Sequence, residues 1–189
     1  LDSNSLGFTG NNKGFQKINL SWNNLSYADG YLLYKLDNKT GEYKEIANFK
    51  ETGYEDTQAI VGSTYQYKII PFIRISNKAD GVILGNESIV QTKSELEKAN
   101  GLKVKKQGKK YLKIKWNRNK NFSGYVVYRK EGKSKKFKII KTITSNKKTT
   151  YIDRKVKRNK KYYYKIRGFR TVDKKKIYGK YSAVKSIKR

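Results

Sequence analysis

INLSWN at Ile18–Asn23 and LKIKWN at Leu112–Asn117 are two copies of one short pattern in a chain of 189 residues. In the second copy Leu112, Ile114 and Trp116 alternate with Lys113 and Lys115, the period of two of a half-buried strand. Ile18, Leu20 and Trp22 repeat it in the first. Outward from these segments the repetition continues in order. GYLLYK (Gly30–Lys35) is matched by GYVVYR (Gly124–Arg129), Tyr43 by Phe137, and Asp56 by Asp153. TYQYKI (Thr64–Ile69) is matched by KYYYKI (Lys161–Ile166), and LGNESIV (Leu84–Val90) by YGKYSAV (Tyr178–Val184). Ordered recurrence of this kind marks a duplication. The chain is read as two copies of one unit, residues 1–93 and 101–189, joined by a short linker at 94–100.

Each copy reads as strands. Tyr162, Tyr164 and Ile166 alternate with Tyr163, Lys165 and Arg167, and Tyr65, Tyr67 and Ile69 form the equivalent set. Asp37-Asn38 with Gly41, Ala79-Asp80-Gly81 and Glu131-Gly132 carry the turn chemistry that separates such runs. Short strands at this density, with only Ser94–Asn100 as a brief helical candidate, predict an all-β chain of two β-sandwiches.

An LxW strand, then Gly-Tyr-x-x-Tyr, then Tyr-x-Tyr-x-Ile resembles bacterial fibronectin type III repeats, in both copies. The resemblance implies two tandem immunoglobulin-like, seven-stranded Greek-key sandwiches without disulfides. It implies that Trp22 and Trp116 fill the cores from strand B. It also implies that Tyr65 and Tyr162 are tyrosine corners, each hydroxyl bonding back to the chain before strand F. The family usually has Leu six residues before that tyrosine. Here the position holds Val156 in the second copy and Ala59 in the first, where Ile60 is expected to take over the packing.

Composition narrows the function. The chain is 36% apolar and 13% aromatic, enough for packed cores. No apolar run approaches the ~20 residues of a membrane-spanning helix. The chain is expected to be a piece of a longer polypeptide, with any targeting signal outside it. Cys and His are both absent. Thiol chemistry, the commonest metal ligands and every His-dependent triad are thereby excluded. The second unit has five acids, Glu95, Glu97, Glu131, Asp153 and Asp173, in unrelated settings, and no nucleotide or calcium motif occurs. No catalytic residue, cofactor or metal is expected. Asp29, Asp56 and Asp153 are read as turn residues, and Gly30 and Gly124 sit at matching positions before strand C.

The charge is more informative. The net +30 divides unevenly: residues 1–94 carry 10 basic and 10 acidic side chains, residues 95–189 carry 35 and 5. Such an excess destabilises a compact fold by self-repulsion and favours polyanions as partners. The candidate contacts are Lys113 and Lys115 on strand B, and Lys135, Lys136 and Lys138 around C′. Lys155, Lys157, Arg158, Lys160 and Lys161 fall in the E–F turn, and Lys174, Lys175 and Lys176 in the F–G turn. Ser134–Ile139 also fits a spacing often quoted for heparin-like ligands, one that a Lys-rich chain matches easily.

Lysine far outnumbers arginine, which suits diffuse attraction to a charged polymer more than reading of base edges. The expected partners are anionic polysaccharide, wall polymer or glycosaminoglycan, with other domains of a parent protein as further contacts; nucleic acid is disfavoured. Tyr34 and Phe72, and their counterparts Tyr128 and Phe169, are a candidate patch on the outer C–F–G face, for sugar stacking or, more simply, cross-strand pairing. The sequence therefore reads as a non-catalytic module of an exported bacterial protein, extracellular or at the cell surface. Its alternatives are a mechanical spacer and a protein-binding module. The linker, without a Gly-Ser tract, is expected to permit limited bending.

Overall fold

The computed structural model describes residues 6–76, 81–134 and 136–189. Ala79 and Asp80 of one expected turn, and Lys135 of the expected basic set, lie outside them. Among the described residues there is no helix. The chain divides into two compact units, Leu1–Glu95 and Leu96–Arg189. Residues 94–100 carry no regular secondary structure. Within them Leu96 and Ala99 are buried, and Glu97 accepts hydrogen bonds from Asn119 and Asn121 at 2.9 and 2.8 Å.

In the first unit β1 (Thr9–Asn12), β2 (Ile18–Ser21) and β5 (Gly53–Asp56) form one antiparallel sheet in the order β1-β2-β5. The other sheet runs β4-β3-β6-β7, from Glu42–Phe49, Gly30–Asp37, Thr64–Arg74 and Val82–Leu84. Strand β8 (Ser88–Lys93) also pairs with β6, so β7 and β8 are two halves of one broken edge. At the break Pro71 of β6 accepts the Gly85 amide at 2.7 Å and has no N–H to extend the ladder on that side; the second unit breaks at the equivalent place with Gly168, which accepts the Gly179 amide at 3.0 Å.

The second unit repeats this plan. One sheet is β13-β10-β9, from Thr150–Asp153, Tyr111–Lys115 and Lys103–Gln107. The other is β12-β11-β14-β15, from Lys138–Ile143, Gly124–Glu131, Lys161–Val172 and Lys175–Tyr178, with β16 (Lys185–Lys188) also on β14. Between β15 and β16 the hydroxyl of Ser182 accepts the Ile166 amide at 3.0 Å, in place of a main-chain carbonyl.

Both cores are built from the inward alternation. Trp22 meets Tyr31 at 5.6 Å and Phe49 at 5.8 Å between ring centres, and Trp116 meets Tyr125 at 5.3 Å. The tyrosine corners close as the sequence implies: Tyr65 accepts the Ile60 amide at 2.7 Å and Tyr162 the Lys157 amide at 2.8 Å. The packing substitute does not. Ile60 is 53% exposed while Ala59 is fully buried, because the two residues point to opposite sides of the extended chain.

Asp56 and Asp153 do more than cap turns. Each accepts the amide two residues on, Gln58 at 2.8 Å and Lys155 at 3.0 Å. Each is also buried and takes a tyrosine hydroxyl and a cation. Asp56 binds Tyr67 at 2.6 Å and Lys35 at 2.6 Å; Asp153 binds Tyr164 at 2.9 Å and Arg129 at 2.8 Å. Burial opposes ionisation of Asp56, but the bonds from Lys35, Tyr67 and the Gln58 amide outweigh it and hold its carboxyl below the usual range. Burial and the adjacent carboxylates push the Tyr67 and Tyr164 hydroxyls well above their ordinary value.

Gly30 and Gly124 open β3 and β11 opposite Phe72 and Phe169, whose rings lie over them. A Cβ at Gly124 would stand 2.0 Å from the Ile143 carbonyl oxygen and 2.8 Å from the Phe169 ring. Asp29 likewise serves the sheet: its carboxylate accepts the Arg74 amide at 2.7 Å.

Candidate polyanion interface

The basic residues of the second unit fall on distinct surfaces. Lys113 and Lys115 of β10 point away from the core, as their alternation requires, and both are exposed. Their antiparallel neighbours are lysines too: Lys113 faces Lys105 and Lys115 faces Lys103 across β9. Like charges directly opposite are destabilising, so the fold itself does not ask for this lattice. Lys103 and Lys105 were not singled out from the sequence. Their own alternation about Val104, matched to that about Ile114, was the available signal.

A second group gathers at one end. The E–F turn carries exposed Lys155, Lys157, Arg158, Lys160 and Lys161, and Lys161 accepts the Gly132 amide at 2.8 Å, which brings the C–C′ turn alongside. Exposed Lys136 and Lys138 follow that turn. Arg189 joins the same end: its amide donates to Lys160 at 3.0 Å, and its guanidinium to the carbonyls of Lys109 and Lys110 in the A–B turn. Lys109, Lys110 and Arg189 are thus additional members of this pole, visible only once strand order is known.

Lys174, Lys175 and Lys176 stand elsewhere. Strand β14 is 12 residues long, so the F–G turn lies roughly 36–40 Å from the E–F turn at ~3.3 Å per residue. Asp173 and Lys174 both take positive φ, 46° and 64°, the geometry of a tight two-residue hairpin. The expected set therefore occupies three surfaces.

No protein-family model matches this chain, and no curated protein matches it. Solved structures do. A two-domain fibronectin type III segment of chicken tenascin aligns with TM-score 0.59 at 12% identity, over 96% of this chain and 97% of that one. The chicken interferon gamma receptor alpha chain aligns equally well, at TM-score 0.59 and 12% identity, over 96% of each chain. Each unit has the fibronectin type III fold.

In the lettering of each fibronectin type III unit, A, B and E (β1, β2, β5; β9, β10, β13) form the smaller sheet, and C′, C, F and G (β4, β3, β6, β7–β8; β12, β11, β14, β15–β16) the larger. On the C′-C-F-G face of the second unit, Tyr128 and Phe169 form a buried cluster with Val126. They offer no open ring for stacking. Cations cover this face: Lys165 lies 3.6 Å from the Tyr181 ring centre and 4.7 Å from Phe137, and Arg167 lies 3.8 Å from Tyr178. Arg167 also donates to the Tyr128 hydroxyl at 2.9 Å. Cations held over rings in this way stabilise the sheet.

In the first unit Phe72 is buried, and Lys68 sits 5.3 Å from Tyr34, 4.6 Å from Tyr43 and 3.1 Å from Glu87. Its edge strand β7 leaves Val82, Ile83 and Leu84 half exposed. Among the described residues no group of His, Cys, Asp and Glu could hold a metal ion, and no helix is long and apolar enough to cross a membrane.

Proposed function

We propose that this chain is a non-catalytic accessory module of a larger exported bacterial protein, extracellular or at the cell surface. Its first unit acts as a spacer or as a docking surface for the rest of the parent protein, and its second as an electrostatic anchor to anionic cell-surface, wall or matrix polymers. The observation that carries the reading is the placement of charge. The 35 basic residues of 95–189 face only 5 acidic ones, and strand lysines stand in directly opposed pairs. Self-repulsion of this size works against the fold, so a polyanion that neutralises it supplies the compensating interaction. The neutral first unit, with the same architecture, shows that the fold does not require such charge.

The test compares residues 1–94 with residues 95–189 for retention on wall polymer and on glycosaminoglycan across a salt series. Retention of the second half alone, falling steeply with salt, is the expected result. Absence of retention for both halves near physiological salt would leave a mechanical spacer whose charge serves solubility.

A further inference from the structure

Resting on the anchoring role just described, we propose that the anchor's binding face is the A–B strand lattice with its adjoining cleft, and that it takes a linear polymer of acyclic phosphodiester-linked units. The lattice is Lys103 and Lys105 on β9 facing Lys115 and Lys113 on β10. Successive amines on one strand are two residues apart, about 6.6–6.8 Å, and the pairs stand about 5 Å apart across the sheet. Beside it, a cleft of about 560 Å³ opens between the segment at 98–105 and that at 182–185. Ala99, Leu102 and Ala183 are among its apolar lining, and Lys98, Lys103, Lys105 and Lys185 also line it. Six lysines thus form one track, and among the described residues none of them is in an ion pair.

Several other cations of this unit are differently employed: Lys130, Lys165, Arg167 and Lys176 lie over aromatic rings. The Arg189 guanidinium is held by the A–B turn carbonyls. Lysines of the E–F pole are carried on a turn, whereas those of the lattice are spaced by a paired sheet, which fixes charge positions more closely.

The ring that shares the lattice's face on β10, Tyr111, already lies beneath Arg154 at 5.6 Å. Sugar rings and nucleic-acid bases favour aromatic platforms. A flexible chain with point charges and no rings does not need one, and lysine, a point charge without a fork, matches it.

The experiment measures binding of the full chain to immobilised poly(glycerol phosphate) and to a heparin-type sulfated glycan over a salt series. A lattice variant, Lys103→Gln, Lys105→Gln, Lys113→Gln and Lys115→Gln, is compared with a pole variant of equal charge change, Lys155→Gln, Lys157→Gln, Arg158→Gln and Lys160→Gln. Circular dichroism verifies the fold of each, and the pair Lys103→Gln, Lys115→Gln substitutes if the quadruple is damaged. The lattice variant is expected to lose at least tenfold in affinity for the phosphodiester polymer, with a log–log salt slope shallower by about 2–3, and the pole variant less than threefold. Equal or greater loss in the pole variant overturns the assignment of the face. Tighter binding of the sulfated glycan by wild type overturns the ligand class. If wild type retains neither polymer, the anchoring role itself fails.

Discussion

Replacing Asp153 with Ala removes the acceptor of a tyrosine hydroxyl, an arginine and a turn amide together. The carboxylate is 1% exposed and the Arg129 side chain 21%. Deleting one partner of a largely buried ion pair costs about 3–5 kcal/mol, chiefly because the other charge is left without its counterion. Arg129 retains a bond to the Lys155 carbonyl at 2.7 Å, which places the expected loss near the lower figure, about 3 kcal/mol. For a unit of this size that is roughly 12–24 °C in midpoint. Because two units unfold in one chain, the signals must be separated. Each unit holds one tryptophan, Trp22 or Trp116, so a Trp22→Phe background lets Trp116 report the second unit alone. Urea denaturation by fluorescence then gives the loss directly. In the first unit the equivalent cation is Lys35, whose flexible stem can carry its amine to water, and Asp56→Ala is expected to cost less, about 2 kcal/mol. A loss below about 1 kcal/mol for Asp153→Ala, or a larger loss for Asp56→Ala, would refute the reasoning.

Two further outcomes follow from the same geometry. Asp56 titrates below its unfolded value of ~3.9, so its contribution is fully present above about pH 4 and lost as pH falls through the lowered folded value. Urea midpoints of the first unit should therefore fall between pH 5 and acid, and Asp56→Asn should flatten that dependence. Gly124→Ala forces a Cβ against the Ile143 carbonyl at 2.0 Å, whereas at Gly30 the nearest atom is a Phe72 ring carbon at 2.7 Å. Main chain yields less readily than a ring edge, so thermal unfolding should show Gly124→Ala costing about 2–3 kcal/mol and Gly30→Ala about 1 kcal/mol.

The duplication and the strand alternation were legible in the sequence, the first from ordered recurrence and the second because a side chain two residues from another shares its face; the core tryptophans and the tyrosine corners followed from the family resemblance. The charge asymmetry was equally plain, since it needs only counting. Tertiary structure decided what distant residues do to one another. Strand pairing set Lys103 and Lys105 against Lys115 and Lys113, and separated the F–G lysines from the E–F lysines by the length of β14. It gave Asp153 its arginine from 24 residues away, and covered Tyr128 and Phe169 so that a candidate platform became packing. Alternation assigns a side chain to a face of its own strand, but which neighbour lies across that face depends on register and sheet order, and those come from the whole unit closing around its core.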